Sequence, residues 1–277
     1  MKTILSGFLF VIFLSAGQLQ AQKLEKVWET STEMKTPESV LYDADRDVIY
    51  VANINENPSE KDGNGFISIL NPNGSVKVFK WVENLSAPKG MAVFDGRLYV
   101  SDIDQLVEID IEKGKILNKY DAPNAVFLND VAACMNGMIF VSDTRTAKIH
   151  VLNNGVFSVW MEGEPFETPN GLFTEKGNLY VGDKNIYEVD IESKKVTEII
   201  SDAGGVDGLE KNNEGEFVFS NWPGRIFIHT NGKNVKLHDS TEEEINTADI
   251  DFALKYNWIL VPTFFDNRVV AYKIIDL

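Results

Sequence analysis

One pattern recurs six times along the chain, and it limits the architecture more than composition does. Each copy has a small or polar pair, a short apolar stretch, a turn, and a β-rich run closing on Asp, Asn or Thr. The copies run from Pro37 to Asn53, Lys89 to Asp102, Asn129 to Asp143, Asn170 to Asp183, Asp207 to Asn221 and Ala248 to Thr263. With Val40, Met91, Val131, Leu172, Leu209 and Ile250 taken as equivalent, the intervals are 51, 40, 41, 37 and 41 residues. A period of roughly 40 residues made of short strands matches a four-stranded propeller blade, whereas solenoids of similar period are helical. The long first interval is explained by a polar insertion, Asn55 to Gly65.

The third repeat shows its four strands directly. Val131 to Cys134 leads through an Asn136-Gly137 turn to Met138 to Ser142, then Lys148 to Leu152, then an Asn-Asn-Gly turn and Val156 to Trp160. No stretch sustains a 3.6-residue apolar period, and the helix-like piece Ser240 to Ile245 is too short and acidic to be a core element. The sixth repeat runs out one strand short at Val269 to Ile275, while Leu24 to Thr30 is a strand with no repeat of its own. The expectation is an all-β, six-bladed β-propeller over residues 22–277, its last blade closed by the N-terminal strand, which leaves no open sheet edge.

Residues 1–21 read as a signal peptide: Lys2 is basic, Ile4 to Ala16 is nearly all apolar, and Ala21 offers a small residue for cleavage. The apolar run is too short to span a bilayer comfortably, so no membrane span is expected in the mature chain. An exported protein, periplasmic or secreted, follows. In an oxidising compartment the lone cysteine, Cys134, is expected to be buried. With 42 acidic against 26 basic residues, a net charge of −16 argues against nucleic acid as a partner.

In a propeller the first strand of each blade lines the central channel, so equivalent positions at its start converge. Two residues before each aligned apolar residue stand Glu38, Lys89, Asn129, Asn170, Asp207 and Ala248. Glu38, Asn129, Asn170 and Asp207 are oxygen donors, suited to a hard divalent cation and above all to calcium; zinc or copper would want histidine or thiolate. The plainer alternative is that Asn-Gly and Asp-Gly are turn dipeptides and Glu38 a solvated strand start. Lys89 has three open roles: pairing with Glu38 or Asp207 in place of a metal, binding an anionic substrate, or snorkelling to solvent.

Glu38-Ser39, Leu128-Asn129-Asp130, Pro169-Asn170-Gly171-Leu172 and Val206-Asp207-Gly208-Leu209 resemble the regucalcin and gluconolactonase group of six-bladed propellers. Diisopropyl fluorophosphatase and paraoxonase are more distant by fold. The resemblance covers essentially the whole mature chain. It implies a catalytic divalent cation held by Glu38, Asn129, Asn170 and Asp207, with Asp207 also general base or nucleophile, and hydrolysis of a small-molecule substrate, typically a sugar lactone. Lys89, Phe127 and Asp130 are expected to bind the substrate. Where the group carries a sugar-gripping arginine two residues before the third-repeat asparagine, this chain has Phe127.

Other candidates weigh less. Asp43, Asp45 and Asp47 imitate an EF-hand start, but Val48 replaces the required glycine, so an acidic hairpin turn is expected. Asp102, Asp143 and Asp183 end second strands and read as caps on backbone amides. His150, His229 and His238 fall away from the channel phase, which argues against a histidine triad or relay. Trp222, Phe264 and Phe265 follow second strands, where aromatics line a pocket or pack between blades. Two functions stand: a metal-dependent lactone or ester hydrolase, and a non-catalytic ligand- or protein-binding propeller with a vestigial metal site.

Overall fold

Each repeat folds into a four-stranded antiparallel sheet whose strands pair in chain order, and five of the six blades are built this way. The computed structural model describes residues 22–122 and 124–276; the expected leader lies outside the described residues. The inner strands, one per blade, are Pro37–Asp43, Pro88–Phe94, Leu128–Ala133, Leu172–Glu175, Leu209–Lys211 and Asp251–Ala253. Each contacts the inner strands of both neighbouring blades, which closes a ring around a channel. The fold is a six-bladed β-propeller.

The sixth blade differs in origin. Its inner three strands come from the end of the chain, and the outermost is Gln22–Glu29, antiparallel to Val269–Asp276 with Gln22 opposite Asp276. Trp28 of this strand meets Trp258 edge-on, ring centroids 6.4 Å apart. The expected closure by the N-terminal strand is what the structure has.

The burial pattern explains the strand composition. A second strand is covered by adjacent blades on both faces, so Val48–Asn53 is buried at every position, whereas the outer strand Lys115–Asp121 is largely solvated. The apolar core is accordingly divided into clusters, one at each seam between neighbouring blades. Cys134 is buried in one of them.

Polar groups fix the strand heads. Asp102 accepts from the Ser86 and Ala87 amides, Asp143 from Val126 and Phe127, and Asp183 from Glu167 and Thr168, the capping role their position suggested. The Ser220 hydroxyl donates to the Ala248 carbonyl of the next blade at 2.7 Å, and Ser101 reaches Asn129 likewise. Asp43 accepts from the Asp45 and Arg46 amides and from the Arg46 side chain, so the EF-hand mimic is the expected hairpin turn. Residues 241–244 are turns rather than helix, and the sole helical turn among the described residues is a 3-10 turn at Phe264–Asp266. No helix is long and apolar enough to cross a membrane among the described residues.

Candidate active site at the channel mouth

The heads of the inner strands converge at one end of the channel. Glu38, Lys89, Asn129, Asn170 and Asp207, together with Phe127, line a single cavity of about 390 Å³. Residues 169 positions apart in sequence, Glu38 and Asp207, thus share a wall because equivalent blade positions meet at the axis.

The glycines following Asn170 and Asp207 bear on the turn reading. Neither Gly171 nor Gly208 has a positive φ, so neither makes a left-handed turn. A Cβ on Gly171 would come within 2.6 Å of the Asp207 carbonyl oxygen. These glycines let backbones of adjacent blades approach closely at the axis, which is what places Asn170 beside Asp207. The Asn170 amide nitrogen donates to Asp207 Oδ1 at 2.5 Å, and that of Asn129 to Thr144 Oγ1 at 3.2 Å.

The two carboxylates are almost fully buried, each 4% exposed, and among the described residues Glu38 Oε2 and Asp207 Oδ2 have no hydrogen-bond partner. Unpaired buried carboxylate oxygens are costly unless a cation or proton compensates them. Burial raises the Glu38 carboxyl well above its ordinary range, with Asp207 repelling it and Lys89 opposing the shift. Burial pushes Asp207 up to about 7, against the hydrogen bond from Asn170. Among the described residues no cluster of three or more His, Cys, Asp or Glu side chains is placed to share a metal ion, so a cation here needs the amide oxygens of Asn129 and Asn170 as well. The donor set is then all oxygen, which suits calcium.

Lys89 does not snorkel: it is 1% exposed. Its ammonium donates to the Ala87 carbonyl at 3.0 Å and stands 4.4 Å from the Phe127 ring centre. Among the described residues it has no carboxylate within the 4.0 Å of an ion pair. Burial lowers its pKa to about 8, with Glu38 and Asp102 pulling the other way. The ammonium therefore influences Glu38 through space rather than by direct contact.

Asp130 is a correction to the sequence-based expectation. It does not line the cavity; its Oδ2 accepts from the Leu172 amide of the next blade and its Oδ1 from the Val131 amide. Asp130 ties two inner strands together, and burial pushes its carboxyl up to about 7. Trp222, Phe264 and Phe265 do line the cavity and also pack on one another. Ile54, directly after the strand Val48–Asn53, and Pro58, from the insertion of the first blade, join them, a contribution for which the sequence held no signal beyond the insertion itself. No histidine is part of this wall.

Comparison with solved structures gives several hundred matching chains, among them three that each cover 92% of this chain. A gluconolactonase-type protein superposes with a TM-score of 0.67 at 14% identity, over 92% of this chain and 93% of its own. Virginiamycin B lyase from Staphylococcus aureus, in a catalytically inactive histidine variant with quinupristin, gives 0.65 at 14% identity over 92% and 100%. A protein of unknown function from Bacteroides thetaiotaomicron gives 0.66 at 10% identity over 92% and 76%. The likeness is one of fold. No family model matches the chain, and no curated protein matches it.

Proposed function

We propose that the chain is an exported, metal-dependent hydrolase of a lactone or similar ester, related in its site to the regucalcin and gluconolactonase group. One observation carries the reading. Glu38 and Asp207, each with a buried carboxylate oxygen that has no hydrogen-bond partner among the described residues, line the same cavity as Asn129 and Asn170. That is an oxygen-donor set waiting for positive charge, and these four residues would hold the cation.

Calcium bound there would supply a Lewis acid for the substrate carbonyl. Asp207 accepts a proton from water as the water oxygen bonds to the carbonyl carbon. The ring or ester C–O bond then breaks, and the proton passes from Asp207 to the departing alkoxide oxygen. Burial raises the Asp207 carboxyl to about 7 in the metal-free site, and a bound cation would favour its ionised, proton-accepting form. The apolar wall shields the reacting bond from bulk water.

A non-catalytic binding propeller is the second reading, favoured by Lys89, whose ammonium already places positive charge beside Glu38. The two part on one assay. Calcium-loaded protein is offered a panel of lactones and carboxylic esters beside its Asp207→Asn variant. Turnover lost in the variant supports the hydrolase, and equal traces in both favour the binder.

A further inference from the structure

We propose that this site takes a lactone or ester with a hydrocarbon body, aromatic or aliphatic, rather than a polyhydroxylated sugar lactone; the scissile bond in this statement rests on the hydrolase reading above. The cavity lining is of two kinds. Besides the polar residues it consists of Ile54, Pro58, Phe127, Trp222, Phe264 and Phe265, none offering a side-chain acceptor.

A sugar would need convergent donors and acceptors for its hydroxyls, and a hydroxyl desolvated without a partner weakens binding. The polar side chains of the cavity are committed elsewhere. Glu38, Asn129, Asn170 and Asp207 form the donor set at the reacting end, and the Lys89 ammonium, a donor and not an acceptor, already bonds the Ala87 carbonyl and faces the Phe127 ring. What remains for the body of a ligand is aromatic.

That aromatic wall is constructed and held. Trp222 is 42% exposed and Phe265 61% exposed, although large apolar side chains left open to water at a cavity mouth ordinarily mark a binding surface. Their rings and that of Phe264 stand nearly perpendicular in pairs, at 80°, 81° and 90°, so both faces and edges are presented. Phe264 has a φ of +48°, a left-handed conformation that bulky side chains rarely adopt and that neighbouring structure must enforce. The enforcement is visible: Asn267 Oδ1 accepts from the Thr36 amide at 2.8 Å, and Thr263 Oγ1 accepts from the Arg268 amide at 2.9 Å. A volume of about 390 Å³ suits a fused bicyclic lactone or a medium alkyl chain.

The test uses full-length mature protein loaded with calcium. Hydrolysis of dihydrocoumarin, δ-decalactone, γ-butyrolactone and δ-gluconolactone is measured for wild type and for Phe265→Ser, whose exposed position keeps the fold out of the question. Binding of 3,4-dihydro-2-quinolinone, the unreactive lactam counterpart of dihydrocoumarin, is followed by calorimetry in parallel. The expected order is dihydrocoumarin and δ-decalactone ahead of γ-butyrolactone, with δ-gluconolactone last. Phe265→Ser should lower kcat/KM for dihydrocoumarin about tenfold and for γ-butyrolactone about twofold, in proportion to the hydrocarbon it no longer covers. Turnover of δ-gluconolactone above dihydrocoumarin overturns the proposal and leaves the hydrolase standing. If no lactone is opened, the hydrolase reading falls, and the lactam decides: binding weakened by Phe265→Ser supports the apolar site, and absent binding overturns it.

Discussion

The Lys89 ammonium, from the second blade, lies 4.4 Å from the centre of the Phe127 ring, which arrives from the third. The contact explains how an ammonium can be buried without a carboxylate in touch with it: the ring face supplies negative potential and the Ala87 carbonyl a hydrogen bond. Arg145 brings a second cation to the same ring, its guanidinium carbon 4.3 Å from the centre. Phe127 thus organises charge at the cavity as well as shaping it.

Lys89→Met should raise calcium affinity by about tenfold, because a positive charge felt by Glu38 opposes a cation in the same cavity. Calorimetry on protein first stripped with chelator reads this out. An unchanged affinity would show that the ammonium serves the substrate rather than the carboxylates.

Asp207→Asn should remain folded, since the residue's backbone amide stays bonded to the Ser220 carbonyl. It should lose about 10²- to 10⁴-fold in turnover, the usual contribution of a positioned base. Calcium added to the chelated wild type should raise its melting temperature, as a ligand of the native state alone must, and the variant should show little of that gain.

The chelated protein should grow less stable as pH rises. Asp207 and Asp130 bind protons more tightly when folded, their pKa values moving from 3.8 to about 7. That advantage is complete below 3.8 and is lost as pH climbs through about 7. Calcium should reverse the trend, because a cation favours the ionised carboxyls. Melting curves between acidic and mildly alkaline pH, with and without calcium, should therefore diverge as pH increases; parallel curves would remove the cation from Asp207.

Asp143→Ala should cost about 1 to 2 kcal/mol, the usual effect of leaving partly buried amides without their acceptor. The amides concerned are those of Val126 and Phe127. Urea unfolding measures the loss, and the resulting freedom of Phe127 should appear as a raised KM with kcat less affected.

The exported protein should begin at Gln22, since residues 1–21 carry the leader pattern. Intact-mass measurement of the secreted or periplasmic form checks it, and a soluble species retaining Met1 to Ala21 would contradict it.

The ring and the four oxygen donors were legible in the sequence because a propeller converts sequence phase into spatial convergence: Glu38, Asn129, Asn170 and Asp207 share a phase and share a cavity. Asp130 was misplaced for a local reason. The pairing of inner with second strands is irregular between Leu128 and Val131, as it is between Pro37 and Ser39 and between Pro88 and Met91. Simple alternation fails at the strand heads, and adjacency to Asn129 did not translate into a place on the cavity wall. The aromatic wall was half legible. Trp222, Phe264 and Phe265 carry no periodicity that separates cavity lining from seam packing, and they do both. Pro58 arises from an insertion whose path the repeat pattern does not govern, and Ile54 stands directly before it.

The clasp between Gln22–Glu29 and Val269–Asp276 joins segments 254 residues apart, with the Gln22 side chain reaching Asp276 at 3.3 Å. The last blade seats itself against the first at the axis, where the Asp249 amide donates to the Glu38 carbonyl at 3.0 Å. During synthesis the first of these strands must wait without a partner until the last has been made. Without Val269–Asp276 the sixth sheet keeps only its two inner strands, and Gln22–Glu29 has no edge to pair with. The blade that abuts Glu38 is in this way the one whose assembly draws on both of these distant segments.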